Sequence, residues 1–124
     1  MKSFGDLIYS REKVSGEAVS KVESHAPKIV APDKVRANEV FEVRISVGPH
    51  PNTVEHSIRW IDVYLYEEGR KFNPIHVARI TMEPGFVEPE IVLRMKLSRN
   101  GCLYVLAYCN QHGVWEVRKE IRVE

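Results

Sequence analysis

Phe41-Glu42-Val43-Arg44-Ile45-Ser46-Val47 decides the fold class. Phe41, Val43, Ile45 and Val47 alternate with Glu42, Arg44 and Ser46, and a period of two puts the apolar set on one face of an extended chain. Such a segment is a half-buried antiparallel strand. The pattern recurs downstream, with Ile61, Val63 and Leu65 set against Trp60, Asp62 and Tyr64, and Ile91, Leu93, Met95 and Leu97 against Val92, Arg94 and Lys96. Leu103 to Tyr108 is apolar on both faces, which suits a central strand, and Val117 to Val123 alternates again. With Lys28 to Val35 and His76 to Met82 added, about seven short strands are punctuated by Pro, Gly and Asn, and no long helical pattern competes. The expectation is all-β: an immunoglobulin-like antiparallel β-sandwich.

A chain of 124 residues, 44% apolar, suffices for one compact domain and not for two. Met1 to Lys21 is polar without firm periodicity, so residues 1–21 are expected to form an arm, with a turn or short helix, and residues 22–124 the sandwich. The net charge of +1, with no Lys/Arg-rich run, argues against nucleic acid as a partner. No segment has the length of an apolar membrane span, and Met1-Lys2-Ser3-Phe4-Gly5-Asp6 lacks the apolar core of a secretion signal, so a cytoplasmic protein without a membrane partner is expected. A structural disulfide is not expected there. Cys102 and Cys109 would in any case lie on one strand, an odd number of positions apart, with their side chains on opposite faces.

Two stretches carry chemistry. Cys109-Asn110-Gln111-His112-Gly113 is a turn in which a thiolate and an imidazole can converge on one metal ion, although a lone Cys ending a strand is more often a small buried hydrophobe. Gly48-Pro49-His50-Pro51-Asn52-Thr53-Val54-Glu55-His56 joins two strands, and its prolines stiffen the backbone that would carry His50 and His56 to a shared ligand. The plainer reading of that loop is a connector with two solvated histidines. Further upstream, Pro27 biases Ala26 towards an extended backbone, which suggests an exposed loop around His25, taken alone a surface residue.

In combination these stretches resemble a known family. His50-Pro51-Asn52-Thr53-Val54-Glu55-His56, followed by Tyr108-Cys109-Asn110-Gln111-His112-Gly113-Val114-Trp115-Glu116, is similar to the superoxide reductase family, and Glu23-Ser24-His25-Ala26-Pro27 resembles that family's Glu-Lys-His-Val-Pro loop. With no N-terminal four-cysteine module, the resemblance is to the one-iron class, the neelaredoxins. It implies an immunoglobulin-like fold and one mononuclear non-haem iron, bound by the imidazoles of His25, His50, His56 and His112 in a square plane with the Cys109 thiolate axial and a sixth position open. It implies one-electron reduction of superoxide to hydrogen peroxide, re-reduction by an external donor, usually rubredoxin, and a homotetramer. Glu23 matches the glutamate that takes the sixth position in the ferric state. Backbone N–H groups after Cys109 are expected to bond to its sulfur, with Gly113 allowing the turn.

One position departs from the family pattern. The loop lysine that attracts superoxide and helps deliver a proton is Ser24 here. Lys21 and Lys28 are the candidate substitutes, and Lys21 is favoured because Pro27 separates Lys28 from the loop. Glu55, His76 and Cys102 are expected outside the ligand set. Trp60 and Tyr64 share the strand face opposite Ile61, Val63 and Leu65, which suggests an outward aromatic patch and an interface. The alternatives are a copper electron-transfer sandwich using Cys109, two histidines and Met82 or Met95, and a non-enzymatic metal-binding module.

Overall fold

A computed structural model describes residues 1–124. Its strands are β1 (Lys28–Val30), β2 (Lys34–Val35), β3 (Phe41–Ser46), β4 (Ile58–Glu67), β5 (Ile75–Thr81), β6 (Glu90–Met95), β7 (Gly101–Cys109) and β8 (Gly113–Val123). They form two sheets, one ordered β1-β3-β6 and the other β2-β8-β7-β4-β5. The alternation places the residues as expected. Val43 and Ile45 of one sheet and Ile61, Val63, Leu103, Val105 and Ala107 of the other are fully buried and belong to one core. Full burial of each such aliphatic side chain contributes roughly 1.5–3 kcal/mol, so this shared layer holds the sheets together. Met82 and Met95 also lie in it, as does Cys109.

The expected strand from Lys28 to Val35 is two strands. Ala31, Pro32 and Asp33 interrupt it, and Pro32 cannot supply a ladder N–H, so β1 stays with β3 while β2 crosses to the other sheet. There it pairs parallel to β8, the one parallel pairing among the named strands. The count is therefore eight rather than about seven.

On the outer face of the larger sheet, Trp60 and Tyr64 stand half-buried beside Tyr104 and Tyr108. The charged member of this face is covered: Asp62 is buried, accepting 2.9 Å hydrogen bonds from His76 Nε2 and from Arg79 Nη1. Arg79 in turn lies 4.5 Å over the Trp60 ring, and Trp60 packs on Tyr108. Asp62 thus has both carboxylate oxygens satisfied, which is what lets a carboxylate sit inside an aromatic patch. His76 is an ordinary strand histidine. Cys102 and Cys109 are both free thiols on opposite faces of β7.

Before β1 the chain holds only short helices, α1 (Phe4–Leu7), a 3₁₀ turn (Gly16–Lys21) and α2 (Val22–His25). None is long and apolar enough to cross a membrane. Between α1 and the 3₁₀ turn, Tyr9 makes a parallel bridge to Trp115 and stacks on its ring at 5.0 Å. Val22 and Ala26 flank the same indole, and together with Trp115 they make a second, smaller core beneath α2.

Candidate metal centre

Three connections meet at one end of the sandwich. The β3–β4 loop passes from one sheet to the other and carries His50 and His56; the β7–β8 turn carries His112, three positions after Cys109, the last residue of β7; α2 ends at His25. His25 does not lie on an exposed loop. Ala26 is extended before Pro27 as expected, with φ −70° and ψ 126°, but the residues before it form α2, which packs on Trp115; the Trp115 ring is 5.4 Å from the His25 ring, and His25 is left 3% exposed.

The four imidazoles stand at the corners of a quadrilateral. Ring centroids are 4.6 Å apart for His25 and His50, 4.7 Å for His50 and His56, 5.1 Å for His56 and His112, and 4.9 Å for His112 and His25. The diagonal from His25 to His56 is 6.5 Å, longer than every side, as a near-square requires. One donor atom from each of His25, His50, His56 and Cys109 lies within 4.8 Å of all the others. His112 joins through its Nδ1, 3.7 Å from Cys109 Sγ.

The hydrogen bonds settle which nitrogens are bare. His25 Nδ1 is 3.0 Å from the Lys21 carbonyl and 2.7 Å from Ser24 Oγ, which itself donates to that carbonyl. His50 Nδ1 is 2.7 Å from the Pro51 carbonyl. A carbonyl only accepts, so the network assigns the ring hydrogen to Nδ1 in both residues and leaves both Nε2 atoms as lone pairs. Those two atoms face each other at 3.1 Å. His56 Nε2 is shielded from solvent and has no partner at all. Burial, opposed by the Lys21 carbonyl and reinforced by the neighbouring imidazoles, takes His25 down to about 4, and burial lowers His50 and His56 in the same direction. The rings are therefore neutral near pH 7. Facing lone pairs and an orphaned buried nitrogen beside a buried thiol fit a metal cation, and a donor set of imidazoles with one sulfur and no oxygen fits a transition metal rather than calcium or magnesium.

The remaining candidates take other places. Glu23 is exposed and its carboxylate is paired with Arg11 Nη1 at 2.8 Å, apart from the donor cluster. Lys28 is a clamp: its Nζ donates to the Glu23 carbonyl at 3.1 Å and the Gly48 carbonyl at 2.6 Å, joining α2, which carries His25, to the loop of His50. Lys21 lines a cavity of about 640 Å³ together with His112 and Gln111, and its charge acts on His56. Glu55 is exposed and outside the cluster. Cys102 sits on the far face of β7, where burial pushes its thiol up.

The expected backbone hydrogen bonds to the Cys109 sulfur are not made. The Asn110 N–H turns instead to the Ser57 carbonyl at 3.3 Å, and His112 Nδ1 is the polar contact of Sγ. Gly113 does take a positive φ of 83°, with the Tyr9 ring so close that a Cβ would meet it at 3.3 Å. Sequence reasoning missed Trp115, whose indole N–H donates to the His112 carbonyl at 3.0 Å while its ring backs His25. Its signal was present, because Trp115 is in phase with Val117 and Ile121 and extends that alternation back to the site.

Known proteins are similar to this chain. The family profile for desulfoferrodoxin matches residues 17–118. Superoxide reductase from Pyrococcus horikoshii is 42% identical over 110 residues, covering 84% of this chain and 90% of that one. Neelaredoxin from Megalodesulfovibrio gigas is 33% identical over 118 residues, covering 84% and 91%. Among solved structures, superoxide reductase (neelaredoxin) from Ignicoccus hospitalis has a TM-score of 0.93 at 58% identity, covering 99% of this chain and 100% of that one.

The lowered histidines give the metal-free protein a pH-dependent stability. Between about 4, where folded His25 titrates, and 6.5, its ordinary value, the unfolded chain binds more protons than the native one. Stability from this group is therefore full above 6.5 and is lost as pH falls towards 4. The urea midpoint of metal-free protein should drop over that window, and His25→Gln should flatten the drop. An equal drop in the variant would show that His25 is not its source.

Proposed function

The chain belongs to the desulfoferrodoxin family, and from that membership we propose that it is a superoxide reductase of the one-iron class, with iron held by His25, His50, His56, His112 and Cys109. The observation that carries this reading is the gathering of three imidazoles and the Cys109 thiol within 4.8 Å, with the fourth imidazole against the sulfur. Bound iron would supply the one-electron Fe(II)/Fe(III) couple that the reduction of superoxide to hydrogen peroxide, with uptake of two protons, requires.

The chain's own residues set the conditions for that chemistry. Carbonyls at Lys21 and Pro51 hold the His25 and His50 rings with Nε2 directed inwards, and burial keeps them neutral, so no proton has to leave before they ligate. Four neutral imidazoles and one thiolate leave a ferrous centre with net charge +1, which favours an anionic substrate. Lys21 is the proposed guide for superoxide. Of the two candidate lysines, Lys28 is engaged by two carbonyls, whereas Lys21 has no ion-pair partner and lines the cavity that His112 also lines. Glu23 is proposed to approach the oxidised centre on leaving Arg11, and a rubredoxin-type protein is the proposed electron donor.

Oxidised protein should show an intense visible absorption from thiolate-to-Fe(III) charge transfer, bleached by reduction. Cys109→Ser should abolish the band and the activity, and Cys102→Ser should spare both, since that thiol is on the opposite face of β7. Glu23→Ala should shift the band without removing it, and reduced rubredoxin should bleach it on mixing. A band that survived loss of Cys109 would end the assignment of the ligand, and one unmoved by Glu23→Ala or by rubredoxin would remove the glutamate or the donor.

Lys21→Ala should slow the second-order reaction with pulse-generated superoxide and flatten its dependence on ionic strength, because steering by a local charge weakens as salt screens it. The iron spectrum should not change. Equal rates at every salt concentration for wild type and variant would leave the metal charge as the sole attractor.

The outer face bearing Trp60, Tyr64, Tyr104 and Tyr108 is the proposed contact between copies in a homotetramer, its buried Asp62 already neutralised by Arg79 and hydrogen-bonded to His76. Sedimentation at micromolar concentration should give a tetramer, and a clean monomer would exclude it.

A further inference from the structure

We propose that Asn110 is a positioning residue that fixes His56 against the Cys109–His112 turn by bonding to the backbone on both sides of that histidine. The inference rests on the iron-site reading above.

The three histidines of the tight cluster are not held alike. His25 and His50 each have Nδ1 fixed by a backbone carbonyl, which sets the ring's rotation and tautomer. His56 has no such bond: its ring makes no hydrogen bond to any group, and its Nε2 is buried and unpaired. Its aim therefore depends on where its backbone is placed. Towards the N-terminal side, Thr53 closes a tight turn with His56 through paired backbone bonds of 3.0 and 3.2 Å and through Thr53 Oγ1 at 3.1 Å. That turn shapes the loop but does not tie it to the rest of the site.

Asn110 makes the tie. Its Oδ1 accepts from the Ser57 N–H at 2.9 Å, its Nδ2 donates to the Glu55 carbonyl at 3.0 Å, and its own N–H donates to the Ser57 carbonyl at 3.3 Å. These partners are the residues immediately before and after His56. The position follows from the ladder: β4 and β7 pair as far as Ile58 and Cys109, where the register shifts, and beyond it the regular exchange of backbone bonds stops. The Asn110 amide, donor and acceptor in one plane, takes the place of the missing peptide unit. Ser57 is fully buried, so no water can replace that acceptor on its N–H. Gln111 adds a second donor to the Glu55 carbonyl, at 2.8 Å. One residue beside the thiolate ligand thus sets the place of an imidazole more than fifty positions away in sequence.

Only an amide serves both partners. Asn110→Asp keeps the shape and the acceptor but turns a carboxylate oxygen on the Glu55 carbonyl, and Asn110→Ser removes the reach to one partner. Cobalt(II), titrated under competition and followed by its thiolate charge-transfer absorption, reads the consequence without any turnover. Both variants should bind cobalt about 10–100-fold more weakly than wild type, the range typical of groups that orient metal ligands. A double-mutant cycle then separates positioning from general support of the fold. In a His50→Ala background Asn110→Asp should still cost its full factor, whereas in a His56→Ala background it should cost less than about threefold, since the residue it positions is gone. Equal losses in the two backgrounds, or wild-type affinity in both single variants, would overturn the inference and leave the metal site standing. Wild-type protein that bound cobalt with no thiolate absorption would overturn the site reading and the inference together.

Discussion

Two bare lone pairs held 3.1 Å apart, on Nε2 of His25 and Nε2 of His50, are the constraint around which the site is built. Neutral nitrogens do not approach in this way unless something compels them. Here the compulsion comes from the other side of each ring, where carbonyls of Lys21 and Pro51 take the Nδ1 hydrogens and so forbid either Nε2 from carrying one. Burial closes the other escape by disfavouring the imidazolium. A cation between the rings relieves the repulsion, and the shielded, unpaired Nε2 of His56 is relieved by the same cation.

The sandwich supplies what this arrangement needs from outside. Cys109 belongs to the main hydrophobic core and is the last residue of a central strand, so its sulfur is placed by a buried strand that is paired on both sides. The histidines come from connections, and each connection is fastened by polar contacts. Lys28 joins α2 to the β3–β4 loop, and the amides of Asn110 and Gln111 join the β3–β4 loop to the turn after β7. Trp115 then closes the assembly from beneath, backing His25 with its ring and holding the His112 carbonyl with its N–H. The N-terminal segment reaches the same indole through Tyr9, so it bears on the site although none of its residues enters the ligand cluster.

Ser24 shows how one exchange redistributes roles. Its hydroxyl bridges the His25 ring and the Lys21 carbonyl, a local bond that a long ammonium side chain would not make. Position 24 therefore helps to hold a ring rather than to present a charge. The charges near the opening come from elsewhere: Lys28 is committed to carbonyls, Glu23 is committed to Arg11, and Lys21 remains beside the cavity.

Much of the fold was legible because a strand's period of two is a local property, and the alternation at Phe41 to Val47 and Ile61 to Leu65 reports burial without knowledge of the partner. Pro32 is equally visible in the sequence, but whether an interrupted strand rejoins its own sheet or crosses to the other depends on what lies across the gap. The resemblance to the family likewise pointed to Cys109, His112 and the two loop histidines, and the structure brings these side chains together at one end. It could not tell that His25 is buried, that Lys28 is a clamp, or that the Asn110 N–H turns to Ser57 instead of to sulfur. Each of those outcomes is a choice between hydrogen-bond partners that are remote along the chain. The sequence by itself determined which side chains were available to ligate and which faces had to be buried. Only the tertiary structure decided which nitrogen of each ring is bare and which lysine is committed, because those follow from carbonyls brought close by two sheets meeting at one end.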